Sequence, residues 1–594
     1  MPILRKLALD ARFVANMSRT YGKLLRVKAD APFSIADKIE EHVAAAPERP
    51  ALVFEDRALS YRDLDAAANR VARWARARGV SRGDVVALLM ENRPEFVVTW
   101  FGLAKIGAVT ALINTNLRGH ALGHSLSVAD AKHLVVGAEL GEAVHTAREH
   151  VAAWPEVWAW GGAVPDAASL DDALAELPPD SVGPDARRGV KAGDRVFLIY
   201  TSGTTGLPKA ANVSHLRALL MGGGGGSAQR LGPGDRMYIP LPLYHSAGGV
   251  MAMGGALFHG ATAVIARKFS ASRFWSDCVK HEVTAFQYIG ELCRYLVNSP
   301  EHPEERSHKL RVCIGNGLRP EVWGPFQERF GIPRILEFYG ATEGNVVFMN
   351  FDGKRGSIGR MPRFMRRMMG IQLVRYDVDR DEHVRGPDGF CIPCGPGEVG
   401  EAIGRITDRT RFEGYTSEEA TKKKILRDVF EKGDAYFRSG DLLRYDEDDY
   451  FYFVDRIGDT FRWKGENVAT SEVGEALSRA PGILEANVYG VAVPGQDGRA
   501  GMAAVVTGEG FDPARVAEHV IRELPAYARP LFLRLRPQIE TTGTFKHRKV
   551  DLVEEGFDPA RIEEPLLFLD AERRSYVPLD AELHGRIVRG EVRL

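Results

Sequence analysis

From residue 200 the chain reads Tyr-Thr-Ser-Gly-Thr-Thr-Gly-Leu-Pro-Lys. Thr201, Ser202, Thr204 and Thr205 supply hydroxyls, Gly203 and Gly206 supply backbone freedom, and Lys209 supplies a charge on a flexible stem. Glycines let a backbone close on an anion and turn successive N–H groups toward it. The hydroxyls add donors and the lysine adds a mobile point charge. The chemistry on offer is phosphate binding. The spacing is not that of the P-loop of nucleotide hydrolases, because Leu207 and Pro208 separate Gly206 from Lys209, and Ala210 stands where a metal-binding hydroxyl is needed.

Other stretches add complementary groups. Glu337-Phe-Tyr-Gly-Ala-Thr-Glu-Gly344 sets an aromatic (Tyr339), a glycine (Gly340), a hydroxyl (Thr342) and a carboxylate (Glu343) on one tight turn. Tyr339 can stack on a base, and Glu343 is a hard oxygen ligand suited to Mg²⁺. Arg438-Ser-Gly-Asp441 puts a carboxylate after a glycine turn, where an ionised, acceptor-only group can receive two sugar hydroxyls. Near the end, Glu540-Thr-Thr-Gly-Thr-Phe-Lys546-His-Arg-Lys549 offers two lysines able to reach carboxylate and phosphate oxygens together. No Ser/His/Asp or Cys/His arrangement stands out as a nucleophile.

In this order, the motifs resemble those of the adenylate-forming enzymes: acyl-CoA synthetases, luciferases and the adenylation domains of peptide synthetases. Phe461-Arg-Trp-Lys-Gly-Glu-Asn-Val468, Thr542-Gly-Thr-Phe-Lys546 and the tail Leu566-Leu-Phe-Leu-Asp570 with Tyr576-Val-Pro-Leu-Asp580 resemble one branch, the fatty-acid transport protein or very-long-chain acyl-CoA synthetase group. The resemblance runs from about Ile35 to the end. It implies that Thr201, Ser202, Gly203, Thr204, Thr205, Lys209, Gly317, Tyr339, Gly340 and Thr342 bind ATP or AMP. It implies that Asp441, helped by Arg456, holds the ribose, and that Glu343 and Thr201 lie at the metal. Lys546, nearer the glycine turn than Lys549, is implied as the adenylation lysine. His245 and Tyr288 are implied at the acyl pocket, and Gly458 at a hinge where many relatives carry lysine or aspartate.

The implied reaction joins a long or very long fatty acid to CoA. ATP with Mg²⁺ gives an acyl-adenylate and diphosphate, and the thiol of CoA then displaces AMP. Two alternatives stay open: a ligase that passes the acyl group to a carrier protein, and a fatty-acid uptake or binding protein.

At 594 residues the chain is too long for one core. Hydrophobic strands such as Arg195-Val-Phe-Leu-Ile-Tyr200 alternate with helical patterns, which predicts a mostly parallel, covered sheet. The expected class is α/β, with the acyl-CoA synthetase or luciferase-like fold implied by the resemblance. The expected layout is an N-terminal segment 1–34, a large AMP-binding domain 35–456 of stacked sheets with a small β-barrel-like part, and a mobile α+β domain 457–594. The glycine run 222–226 reads as a local flexible break. The 78 basic and 79 acidic side chains balance, so no global field recruits nucleic acid. Five cysteines make no disulfide framework, which points to a reducing cytoplasm, and Cys391-Ile-Pro-Cys394 lacks the helix start or partner pair its spacing needs. The basic, apolar N-terminus suits either a membrane surface or packing on its own domain. A homodimer is compatible with all of this.

Overall fold

The structure, a computed structural model, describes residues 2–201, 207–378, 380–464, 466–496, 498–539, 549–592 and 594. Ser202, Gly203, Thr204, Thr205 and Lys546 therefore lie outside the described residues. The chain divides into two compact units. The first comprises Met1–Leu318, Val322–Arg355 and Ile406–Ile425; the second comprises Arg319–Glu321, Gly356–Arg405 and Leu426–Leu594. The expected boundary after residue 456 falls inside the second unit, at the end of the strand Tyr450–Arg456.

The first unit is α/β. Among the described residues one seven-stranded sheet runs in the order Ala168–Ser169, Glu156–Trp160, His133–Gly137, Val85–Leu89, Val109–Leu112, Arg195–Thr201, Lys209–Ser214. Its strands are parallel except for the last pair. Val, Leu and Ile fill both faces of Val85–Leu89 and Arg195–Thr201, as strands covered on two sides require. A second run of parallel strands orders Ile335–Gly340, Val312–Asn316, Ala285–Ile289, Arg236–Ile239, Thr262–Ile265 and Pro50–Phe54 side by side.

The glycine run is not a flexible break. Residues 219–229 are helical and mostly buried, and the chain approaches another helix backbone to backbone. A Cβ on Gly222 would stand 2.8 Å from the Cα of Gly254. The glycines are there for close packing. The N-terminal helix Pro2–Tyr21 packs on its own unit through Phe13, whose ring meets Phe351 edge-on at 6.1 Å, while Leu4 and Leu7 stay exposed. Among the described residues no helix is long and apolar enough to cross a membrane.

The second unit holds antiparallel strands in the order Ile371–Val374, Gly400–Arg405, Ala435–Tyr445, Tyr450–Arg456, Gly359–Arg360. Beyond them a small C-terminal α+β domain has its own core. Its five-stranded sheet, from Ile483–Ala492 to Ser575–Pro578, buries Tyr489, Met502, Phe532 and Phe568 together with Val473 and Val520 of two helices. The thiols of Cys391 and Cys394 are both buried and free, and burial pushes that of Cys394 up to about 12.

His215 ties the first unit together at a pH-sensitive point. It is fully buried, its Nδ1 accepts the Ile35 backbone N–H at 3.2 Å, and burial pushes its pKa down to about 4. Below pH 6.5 the unfolded chain takes a proton that the folded chain refuses. Stability is therefore lost as pH falls from 6.5 toward 4, by about 2 kcal/mol between pH 7 and 5. Thermal midpoints measured at pH 7 and pH 5 should fall less in His215→Asn than in the parent protein.

Candidate nucleotide site

The strand Arg195–Thr201 leads into the motif read as a phosphate loop, and the strand Lys209–Ser214 follows it. The two are antiparallel, with Thr201 directly opposite Lys209, so the first hydroxyl and the lysine of the motif share one stem. Tyr200 anchors that stem: its buried hydroxyl donates to the Ser125 carbonyl at 2.7 Å.

The turn after Ile335–Gly340 carries Thr342 and Glu343, both buried. Its shape comes from a residue that the motifs do not mark. Arg217 sends its guanidinium into the turn and donates to the carbonyls of Ala341 (2.7 Å), Thr342 and Gly344. Burial lowers the pKa of Arg217, against the opposing pull of Glu413 and Glu343. The Thr342 hydroxyl meets that of Ser246 at 3.1 Å, and Tyr415 donates to Oε1 of Glu343 at 2.5 Å. Tyr339 is half-buried, its ring 5.9 Å from that of Phe348.

Gly317, at φ +75°, forms a turn beside this one. The Leu318 N–H donates to Oε1 of Glu337 at 3.2 Å, while Oε2 lies 2.5 Å from the Tyr288 hydroxyl. Burial lifts Glu337 to about 8, so at neutral pH it is a carboxylic acid. Its O–H can then donate to the Tyr288 oxygen, leaving the phenol proton for the Leu336 carbonyl at 2.9 Å. Tyr288 is thus placed with the Gly317 turn. His245 stands at the start of the helical segment Ser246–Ala252, where its Nδ1 accepts the Ala247 N–H at 3.3 Å.

In the second unit Asp441 is paired in register with Arg456, whose Nε lies 3.6 Å from Oδ1. Gly440 turns at φ +80° and donates its N–H to Glu401 at 2.9 Å. Glu401 is fully buried. Burial would raise its pKa, but His383 at 2.6 Å and Arg438 at 3.3 Å reverse this and hold it below the usual carboxylate range. Gly458, at φ +94°, sits beside a compact polar knot. Lys549 donates to Asp459 and to the Thr470 hydroxyl, both at 2.9 Å, and Asp455 accepts the Thr470 N–H at 2.6 Å.

The structure thus pairs Thr201 with Lys209, groups Thr342, Glu343 and Ser246, and pairs Asp441 with Arg456. Sequence reasoning missed Arg217, Glu337, Glu401 and Tyr415. Each acts across 19 to 125 residues of chain on a group outside its own turn, and only Glu337 lies within a motif, where its role is not marked by the pattern. Among the described residues no cluster of three or more His, Cys, Asp or Glu could cage a metal. One carboxylate and a hydroxyl fit Mg²⁺ arriving on a triphosphate, since that ion keeps phosphate and water oxygens.

Fold and motifs together define a nucleotide-dependent ligase class, and comparison with known proteins places the chain within it. The profile described as "AMP-binding enzyme" matches residues 39–400, and that described as "AMP-binding enzyme C-terminal domain" matches 472–546. "Long-chain fatty acid transport protein 6" of Mus musculus is 45% identical over 566 residues, 94% of this chain and 91% of that one. "Long-chain fatty acid transport protein 1" of Homo sapiens is 47% identical over 559 residues, 92% of this chain and 86% of that one. Among solved structures, a fatty acyl CoA synthetase of Mycobacterium tuberculosis aligns with a TM-score of 0.60 at 25% identity, covering 88% of this chain and 98% of that one. An anthranilate CoA ligase aligns at 0.74 and 22%, covering 88% and 96%, a likeness of fold. The chain belongs to the AMP-binding, adenylate-forming enzyme family, and within it to the long-chain fatty acid transport protein group.

Gly290 offers a test of the Gly317 turn. A Cβ there would stand 1.7 Å from the Gly317 carbonyl oxygen, a backbone atom that cannot rotate away. Gly290→Ala should weaken ATP binding at least tenfold by titration calorimetry. Gly474→Ala, whose Cβ would meet only Val488 at an ordinary 3.7 Å, should leave it unchanged.

Proposed function

We propose that the chain is a long-chain or very-long-chain fatty acyl-CoA synthetase, converting ATP, fatty acid and CoA to acyl-CoA, AMP and diphosphate through an acyl-adenylate. The observation that carries this reading is the Thr201–Lys209 stem in the same unit as the Arg217-clamped turn bearing Glu343. A phosphate loop and a single hard carboxylate are what activation of a carboxylate by ATP needs. The names of the relatives, with 42–47% identity over most of their length, support a fatty acid as the acid.

In this reading Thr201, Ser202, Gly203, Thr204, Thr205 and Lys209 grip the phosphates. Gly317, Tyr339, Gly340 and Thr342 border the base, and Asp441 with Arg456 holds the ribose. Glu343 and Thr201 would hold Mg²⁺, which would offset phosphate charge when bound. His245 and Tyr288 lie on the acyl side. A fatty carboxylate attacks the α-phosphate as Lys546 stabilises the charge developing there. Lys549 is engaged with Asp459 and Thr470, which supports Lys546 over Lys549 for this role. Residues 457–594 then turn about Gly458 to admit CoA, whose thiol takes the acyl group. The exposed leucines of the N-terminal helix, among basic residues, support peripheral contact with a membrane where such substrates reside.

Incubation with ATP, Mg²⁺, CoA and fatty acids of graded length should release AMP and acyl-CoA, with the highest kcat/KM on the long and very long chains. Bound lipid without AMP would leave a carrier instead. Turnover that persists without CoA when an acyl carrier protein is supplied would point to an acyl-AMP ligase. Lys546→Ala should lose about 100-fold or more of acyl-AMP formation yet still convert supplied acyl-AMP and CoA; if Lys549→Ala shows that split instead, the assignment moves to Lys549.

A further inference from the structure

Tyr415 has no place in the reaction described so far, yet it is hydrogen-bonded to the carboxylate read as the metal's protein ligand. Its hydroxyl donates to Oε1 of Glu343 at 2.5 Å. Burial and the neighbouring Glu343 push the phenol's pKa upward, while the nearby Thr201 hydroxyl pulls the other way. Oε2 of Glu343 takes no hydrogen bond from another described residue.

The chain makes a dedicated excursion to put this tyrosine there. Residues Ile406–Ile425 belong to the first unit although both flanks belong to the second. The segment lies along the outer edge of the strand Lys209–Ser214. Asn212 donates its N–H to the Gly414 carbonyl at 3.0 Å, Thr416 donates to the Ala210 carbonyl at 3.0 Å, and Ala211 bridges to Tyr415. The Glu413 carboxylate latches the segment by accepting the Ser214 N–H at 2.6 Å, and Gly414 turns at φ +66°. The ring packs with Ala211 and Ala420.

The choice of a phenol follows from the electrostatics. Glu343 sits near Arg217 and feels its charge, but three of that arginine's five guanidinium N–H groups go to carbonyls, and among the described residues no cation lies within ion-pair distance of the carboxylate. A cation bonded to Glu343 would compete with a metal. A neutral O–H fixes the carboxylate's direction and leaves its charge.

We propose that Tyr415 is a positioning residue for the metal-bound nucleotide: its O–H holds the Glu343 carboxylate in a preformed direction near the Thr201 hydroxyl, with Oε2 of Glu343 open to a divalent cation arriving on a triphosphate. The inference rests on the reading of Glu343 and Thr201 as metal oxygens. It makes Tyr415 a determinant of metal affinity and leaves metal-free nucleotide binding to other groups.

The test uses the full chain with Mn²⁺ and a non-hydrolysable ATP analogue, reading free Mn²⁺ by electron paramagnetic resonance, with nucleotide binding in EDTA measured by calorimetry. Tyr415→Phe keeps the ring packing, which an unchanged thermal midpoint verifies. It should raise the Mn²⁺ Kd of the ternary complex about tenfold, as expected for losing one hydrogen bond to a charged group, and leave the EDTA value unchanged. Glu343→Gln should weaken Mn²⁺ binding at least as much, and Tyr415→Phe should add nothing to it. Tyr415→Phe within twofold of the parent, or an additive double variant, overturns the role of Tyr415 while Glu343 stands. Unchanged Mn²⁺ binding in Glu343→Gln overturns the ligand reading itself, and the inference with it.

Discussion

A guanidinium buried against three peptide carbonyls sets the geometry of this site. Arg217 cannot be placed in the interior of the first unit without partners, and the turn that follows the strand Ile335–Gly340 supplies them. Each such charge-assisted bond contributes about 1.5–3 kcal/mol, and leaving the charge unpaired would cost more. The turn is therefore held in the one conformation that aims three carbonyls at a single point. That conformation buries Thr342 against Ser246 and Glu343 against Tyr415. The side chains read as binding nucleotide and metal are consequences of where Arg217 must find its acceptors.

The same device recurs with carboxyl groups. Glu337 behind the Gly317 turn and Glu401 behind the Gly440 turn are both buried, and each accepts a backbone N–H from its turn. They differ in what surrounds them. Glu401 has His383 and Arg438 and stays ionised, whereas Glu337 meets only neutral groups and is held as an acid. One turn is fixed by charge and the other by a neutral hydrogen-bond relay through Tyr288, so only the second loses its proton in the mildly alkaline range.

How much of this was legible in the sequence follows from how far each interaction reaches. The motif read as a phosphate loop, the turn with Tyr339 and Glu343, and the Asp441 turn are local, so residue type, spacing and a family resemblance suffice to propose a chemistry for each. The alternation of apolar strands and helices likewise carried the α/β class. What the sequence could not express is who stands behind each motif. Arg217 lies 125 residues from Thr342, and Tyr415 lies 72 from Glu343, with nothing local to mark either. The glycine run near residue 224 misled for a related reason: its small residues serve a distant helix at Gly254 rather than the mobility of their own segment. Local composition suggests freedom, and tertiary packing removes it.

The discontinuous first unit also has a consequence for synthesis. Residues Ile406–Ile425 leave the ribosome after about fifty residues that belong to the other unit, Gly356–Arg405. Until they emerge, the outer edge of Lys209–Ser214 stays unpaired, an open strand edge that invites pairing with another nascent chain. The first unit can assemble its sheets early, but the edge beside its phosphate loop is sealed only by a segment that arrives late. Folding of the nucleotide half is therefore not complete in order of synthesis, and translation pausing or chaperone contact over that interval would protect the same edge that Tyr415 later occupies.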